Sequence, residues 1–172
     1  DPQEDLRWLS TNNKIGSESI SPICNYLFQA HEYEIKESID YLFLAEGISD
    51  TLSLLELNVP SVGCFGVQVN LLKSISLMSK VKVLVVVLDN DRYDILKKTA
   101  GEYKSWTPMI YSLTDLQEAL PNLTILCCPP PSLPGVKDIN DWLKSGVNPQ
   151  EFSSYIRESS LPLTQFVLKH YG

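Results

Sequence analysis

The sequence is poor in the features that mark several common classes of protein. Cysteine occurs four times in 172 residues, as Cys24, Cys64 and the adjacent pair Cys127-Cys128, which matches neither a spaced zinc-ligand set nor a disulfide framework. Buried thiols in a reducing compartment fit that usage. Long apolar runs are also missing. The longest, Val81 to Leu88, is interrupted by Lys82 and is far too short to cross a bilayer, and the N-terminal residues contain no apolar signal-peptide core. These absences lead us to expect a soluble protein, cytoplasmic or nucleoid-associated and not secreted. Internal repeats and low-complexity tracts are absent as well. The chain opens at Asp1 rather than at a methionine, and we expect a piece of a longer protein whose neighbouring parts share the function.

Positive charge is the remaining shortage. Fourteen Lys and Arg face 21 Asp and Glu, for a formal net charge of −7, which opposes an electrostatic grip on nucleic-acid phosphate. The objection weakens if some of the carboxylates hold divalent cations, because each bound ion reverses the local field that a phosphate meets.

What the sequence does have is a large apolar fraction, 44%, enough for one core and one domain with extensions. Four short apolar runs read as strands buried on both faces: Tyr41 to Ala45, Ser61 to Phe65, Val81 to Leu88, and Leu123 to Cys128, the last stopped by Pro129, Pro130 and Pro131. Between the first two, Ser49 to Leu57 places Leu52, Leu54 and Leu55 along one helical face; between the next two, Leu71, Leu72, Ile75 and Met78 do likewise. After the third run the pattern predicts a helix from about Tyr93 to Tyr103, a turn at Pro108, and an inserted helix from about Leu113 to Leu120. Upstream, Ser21-Pro22 supplies an N-cap and a first-turn proline for a helix reaching about His31. Alternating strands and helices imply an α/β fold, a mainly parallel four-stranded sheet flanked by helices, because parallel neighbours need long return connections. We divide the chain into an N-terminal arm (1–40), a central domain (41–146) and a C-terminal helical extension (147–172).

In an open parallel sheet, functional side chains gather beyond the carboxyl ends of the strands. The acids fall there. The first strand ends in Glu46-Gly47 with Asp50 one helical turn later, the third in Asp89-Asn90-Asp91, and the loop beyond the fourth carries Lys137-Asp138. Two carboxylates about 4 Å apart repel by roughly 4 kcal/mol at an effective dielectric near 20, so such a cluster calls for cations, and magnesium takes hard oxygen ligands of this kind. Gly47 is expected to let the backbone turn sharply after Glu46. Taken singly, each acid has a blander reading: an Asp-x-Asp is commonly a solvated turn or a helix cap, and Asp138 can simply cap a helix over Ile139 to Leu143. Their joint occurrence in order, each at the end of an expected strand, favours a site.

With these residues in hand, the chain resembles the Toprim family over roughly Tyr41 to Leu143. Leu44 to Asp50 is similar to the family's glutamate motif, Leu88 to Asp91 to its paired-aspartate motif, and Lys137-Asp138-Ile139-Asn140-Asp141-Trp142-Leu143 to the KDxNDxL signature of Toprim primases and primase-helicases. Leu161 to Leu168 resembles the PLxxFL segment that follows Toprim in bacterial primases. Two segments depart from the family pattern: Arg92-Tyr93-Asp94 stands where primases have an Ala-Gly pair after Asp-x-Asp, and Gly63 to Val67 lacks their Gly-Thr.

The resemblance implies a Rossmann-like Toprim fold and template-directed RNA primer synthesis on single-stranded DNA from NTPs. It implies Mg²⁺ or Mn²⁺ held by Asp89, Asp91 and Asp138, with Glu46 in an acid-base or second-metal role, so that Glu46, Asp89 and Asp91 are the catalytic candidates. Two ions about 3.5 to 4 Å apart can stabilise both the attacking and the leaving oxygen of an in-line phosphoryl displacement. Asp50 is assigned a supporting role and Lys137 a phosphate contact; a replicative helicase or further domains of a longer chain are the other partners. The rivals are a Toprim nuclease, a non-catalytic replication docking module, and a receiver-like phosphoacceptor, the last leaving Glu46 and Asn140-Asp141-Trp142 unexplained. Topoisomerase chemistry needs a nucleophilic tyrosine, and no motif nominates Tyr93 or Tyr103.

Overall fold

A computed structural model describes the backbone at 14–15 and 18–19, and residues 25–91, 103 and 105–172 in full. A short antiparallel pair, β1 (Lys14–Ile15) and β2 (Glu18–Ser19), precedes the main sheet. That sheet is built from β3 (Ile39–Ala45), β4 (Ser61–Gly63), β5 (Val81–Val87), β6 (Thr124–Cys127) and β7 (Leu161–Pro162), in the order β4-β3-β5-β6-β7. The first four are mutually parallel, with Leu44 opposite both Val62 and Val86, and Val86 opposite Cys127.

Strands β3 and β5 are apolar runs, interrupted only near their amino ends by Asp40 and Lys82, because both faces of the sheet are covered beyond those positions. On one face, Leu42, Leu44, Leu84 and Val86 pack beneath Met78, Trp106, Met109 and Phe166. On the other, Phe43, Ala45, Val85 and Val87 pack beneath Leu54, Trp142 and Phe152. The covering helices are α1 (Ile48–Glu56), the single turn α2 (Ile75–Met78), α3 (Trp106–Ala119), α4 (Ile139–Lys144), α5 (Pro149–Ser159) and α6 (Leu163–Tyr171). Among the described residues no helix is long and apolar enough to cross a membrane.

The α/β class and the four parallel strands agree with the sequence pattern, but several details differ. The sheet has a fifth strand, β7, which pairs antiparallel with β6; two residues including Pro162 carry no periodic signal, and proline is tolerated because β7 is an edge. Thus the C-terminal extension contributes a strand as well as helices. Pro108 is not a turn but the third residue of α3, in the first turn, where its missing N–H costs nothing, so the expected Leu113–Leu120 helix is the end of a longer one. The segment Leu71 to Met78 is a 3₁₀ turn over Leu71–Ser74 followed by α2, and it buries Leu71 and Met78 while Leu72 and Ile75 are exposed. In α1 the buried positions are Asp50, Thr51, Ser53 and Leu54, whereas Leu52 and Leu55 face outward. The start of the helix expected from Ser21 lies outside the described residues; from 25 to 31 the chain instead bridges Phe28 to Gly63 and enters a 3₁₀ turn at Ala30–Tyr33. The helix expected over Tyr93–Tyr103 likewise lies outside them, except for Tyr103, which is buried.

Candidate metal centre

The carboxyl ends of β3 and β5 lie side by side, with Ala45 opposite Val87. Continuing from them, Glu46 and Asp89 lie at neighbouring strand ends, near enough for the Asp89 charge to bear on Glu46. Gly47 then caps α1 in an extended conformation (φ −141°, ψ 177°), with room for a Cβ. Its expected conformational freedom is therefore not used. Close to it, geometry does require a glycine at Gly63 on β4, where a Cβ would collide with the Thr51 side chain and crowd the Gly47 carbonyl. Close approach of β4 to the first turn of α1 sets where that turn sits, and the turn carries Asp50.

Asp50 is 7% exposed, and its Oδ1 accepts the Asn140 backbone N–H at 3.2 Å. From the other side, Ser53 Oγ donates to Asn140 Oδ1 at 3.3 Å. These two contacts stitch α1 to α4, and they account for the otherwise unassigned Asn140 of the Lys137–Leu143 segment. Asp138 is the N-cap of α4, accepting Asp141 N–H at 2.7 Å, while Asp141 Oδ2 accepts Lys137 N–H at 3.1 Å. So the blander capping reading of Asp138 is real, and it coexists with membership of an acidic cluster: oxygens of Asp50, Asp89 and Asp138 all lie within 4.8 Å of one another.

The electrostatics are those of a charge cluster with too little counter-charge. Burial, then the charge and hydrogen bond of Asp89, pushes Glu46 up to about 7. Burial and the neighbouring Asp138 push Asp50 up to about 6. Asp89 is raised chiefly by burial, and Lys137, with Nζ 3.3 Å from its Oδ2, pulls it back down. That ammonium is itself held above its ordinary value, first by the Asp89 charge. Among the described residues, three buried oxygens in this region have no hydrogen-bond partner: Glu46 Oε2, Asn90 Oδ1 and Asp91 Oδ1. Buried acceptors without donors are costly, and a cation satisfies such atoms.

The Asp89-Asn90-Asp91 loop is pinned on two sides. Asn90 donates its backbone N–H to Lys137 O at 2.7 Å and its side-chain amide to Pro130 O at 2.8 Å and Ser132 Oγ at 3.2 Å. On the opposite side Asp91 Oδ2 accepts both the N–H and the Oγ–H of Ser105 at 2.7 Å, and Trp106 Nε1 donates to Asp89 O at 3.0 Å.

Of the residues singled out from sequence, the structure brings together Glu46, Asp50, Asp89, Asp138 and Lys137. Asp50, given a supporting part, lies in the closest triad. Asp91 neighbours it but commits one oxygen to Ser105. Sequence reasoning did not find Ser53 or Ser105; Asn90 and Asn140 stood inside quoted motifs but without a role. The departure at Arg92-Tyr93-Asp94 lies outside the described residues.

No protein-family model matches the chain, and no curated protein matches it in sequence. Solved structures do match in fold. A DNA primase domain from Pseudomonas aeruginosa superposes with a TM-score of 0.62 at 14% identity, covering 83% of this chain and 40% of that one. The E. coli primase catalytic core gives 0.57 at 13% identity, over 85% and 42% respectively. A DnaG primase catalytic domain bound to single-stranded DNA gives 0.56 at 15%, over 84% and 41%. The chain thus has the Toprim fold of primase catalytic cores and spans about two fifths of the length of these structures.

Proposed function

We propose that this chain is the catalytic Toprim unit of a DNA primase-type nucleotidyltransferase, extending RNA primers on a single-stranded DNA template. Residues 41–146 form the Toprim domain in this reading, 1–40 an arm and 147–172 an extension, and further domains or a helicase complete the enzyme. The observation that carries it is the meeting of Asp50, Asp89 and Asp138 within 4.8 Å, beside a Glu46 pushed up to about 7, on a primase-core fold.

The donor set fits Mg²⁺ or Mn²⁺. It consists of hard carboxylate oxygens, some lacking any donor, whereas the nearby Cys64 is wholly buried and its thiol is pushed up by that burial, which keeps it from acting as a thiolate ligand. Asp50, Asp89 and Asp138 would hold the cation, with Glu46 and Asp91 at its margins. Bound there, a divalent ion supplies charge stabilisation for an α-phosphoryl group and its leaving pyrophosphate. The chain's residues do the rest. Glu46 takes the proton from the attacking 3′-hydroxyl as the new P–O bond forms and pyrophosphate departs. Lys137, exposed on the solvent side of Asp89, contacts a phosphate oxygen. The Asn90 and Asn140 contacts keep the three acid-bearing loops in register.

The test is primer synthesis by the parent protein carrying Glu46→Ala or Asp89→Ala. Loss of synthesis in both, with the fold retained by circular dichroism, is expected; full activity in either would refute the assignment. Metal-dependent strand cleavage without synthesis would reassign the same acids to a nuclease. Metal-independent partner binding with neither activity would favour a docking module.

A further inference from the structure

Resting on that reading of the acids as a cation centre, we propose that Ser105 is a positioning residue for it. Ser105 holds Asp91 by one oxygen, Oδ2, so that Oδ1 is the oxygen a divalent cation meets. Ser105 is the N-cap of α3, where a serine hydroxyl ordinarily accepts a hydrogen bond from a first-turn N–H. Here it makes no such capping bond. Its hydroxyl points instead to Asp91 Oδ2, joined by its own backbone N–H, both at 2.7 Å. Two charge-assisted bonds on one oxygen fix the rotation of the carboxylate. The other oxygen, Oδ1, is buried and has no partner among the described residues.

The clamp is anchored in the core. The next residue, Trp106, is fully buried, donates Nε1 to the Asp89 carbonyl at 3.0 Å, and packs its ring against Phe166 with centroids 4.6 Å apart. Ser105 and Trp106 therefore tie both acids of Asp89-Asn90-Asp91 to one aromatic cluster. Asp91 is within electrostatic reach of the triad, since its charge adds to the upward pressure on Asp89 and on Lys137. A hydroxyl withdrawn from helix capping and spent on one carboxylate oxygen fits outer-shell orientation of a ligand, for which loss of the supporting group typically costs about 10 to 100-fold in metal affinity.

The experiment is Mn²⁺ binding to the full chain, followed by electron paramagnetic resonance, for wild type, Ser105→Ala, Ser105→Thr, Asp91→Asn and the Ser105→Ala/Asp91→Asn double variant. Ser105→Ala should weaken Mn²⁺ by about tenfold or more, and Ser105→Thr should restore it. In the Asp91→Asn background, Ser105→Ala should have no further effect on affinity. Unchanged Mn²⁺ affinity in Ser105→Ala, or additive losses in the double variant, would overturn the proposal and leave Ser105 a structural contact only. A wild type that binds no Mn²⁺ would overturn it together with the cation reading. Normal Ser105 dependence in a protein that makes no primers would remove the primase reading alone.

Discussion

The two edges of the central sheet handle charge in opposite ways. At the amino ends of the strands, Lys82 Nζ sits 2.8 Å from Asp40 Oδ1, both side chains mostly exposed, a pair that water already solvates. At the carboxyl ends, carboxylates are half-buried, crowd one another and leave oxygens without donors. The amino edge nevertheless has a roomy cavity, about 500 Å³, walled by Met78, Lys82, Pro121 and Thr124. Concavity alone therefore does not set the carboxyl ends apart from the amino ends; uncompensated charge does. A protein tolerates such a cluster when something outside the chain neutralises it.

The comparison breaks most sharply at Asp89. Asp89→Ala in the parent protein should lower nucleotidyl transfer by about 10³-fold or more, while Asp40→Ala leaves it unchanged; comparable losses from the two would erase the distinction between the edges. Gly63→Ala comes next. Its Cβ would intrude on Thr51 and Gly47 at the foot of α1, so we expect about 1 to 3 kcal/mol of destabilisation in a urea titration, against little for Leu133→Ala on an exposed loop. A smaller effect is the pH dependence without metal. Glu46, Asp50 and Asp89 are all raised in the folded state, so the native state binds more protons than the unfolded chain between their ordinary values and about 6 to 7. Stability contributed by these groups is thus present at low pH and lost as pH rises through that window. Metal-free melting temperature should decline from pH 5 to 8, and Glu46→Gln should flatten the decline; a rise over that range in the wild type, or an unaltered slope in the variant, would count against the charge-cluster account. The smallest effect belongs to the amino edge: Lys82→Ala should leave the melting temperature where it is, as exposed pairs generally do.

The same contrast explains how much could be read from the sequence. Strands β3 and β5 were legible because burial on both faces leaves Tyr41 to Ala45 and Val81 to Val87 as nearly continuous apolar runs. Glu46 and Asp89 were legible because each follows closely on such a run, whereas Asp138 lies in the loop beyond β6 and stood out through the Lys137–Leu143 segment. The face of α1 was not. Counting leucines puts Leu52, Leu54 and Leu55 on one face, but of these only Leu54 turns inward, beside Asp50, Thr51 and Ser53, which are held by polar contacts to Gly47, Ser49 and Asn140. Periodicity registers apolar burial and is blind to a buried polar seam. The Asp91–Ser105 pairing was equally hidden, since the partners are 14 residues apart and serine before a helix ordinarily reads as its cap. Strand β7 was too short to show any period.

The central claim, that the acidic edge is a preformed cation site, is tested most directly by melting the chain at pH 7.5 across a Mg²⁺ titration, with Asp50→Asn/Asp89→Asn as the control. Binding to the native state alone should stabilise it by about 2.7 kcal/mol at a hundredfold excess over Kd, a rise of roughly 5 to 10 °C for a domain of this size, and the control should not respond. A wild-type melting temperature that stays constant through millimolar Mg²⁺, or a control that rises equally, would contradict it.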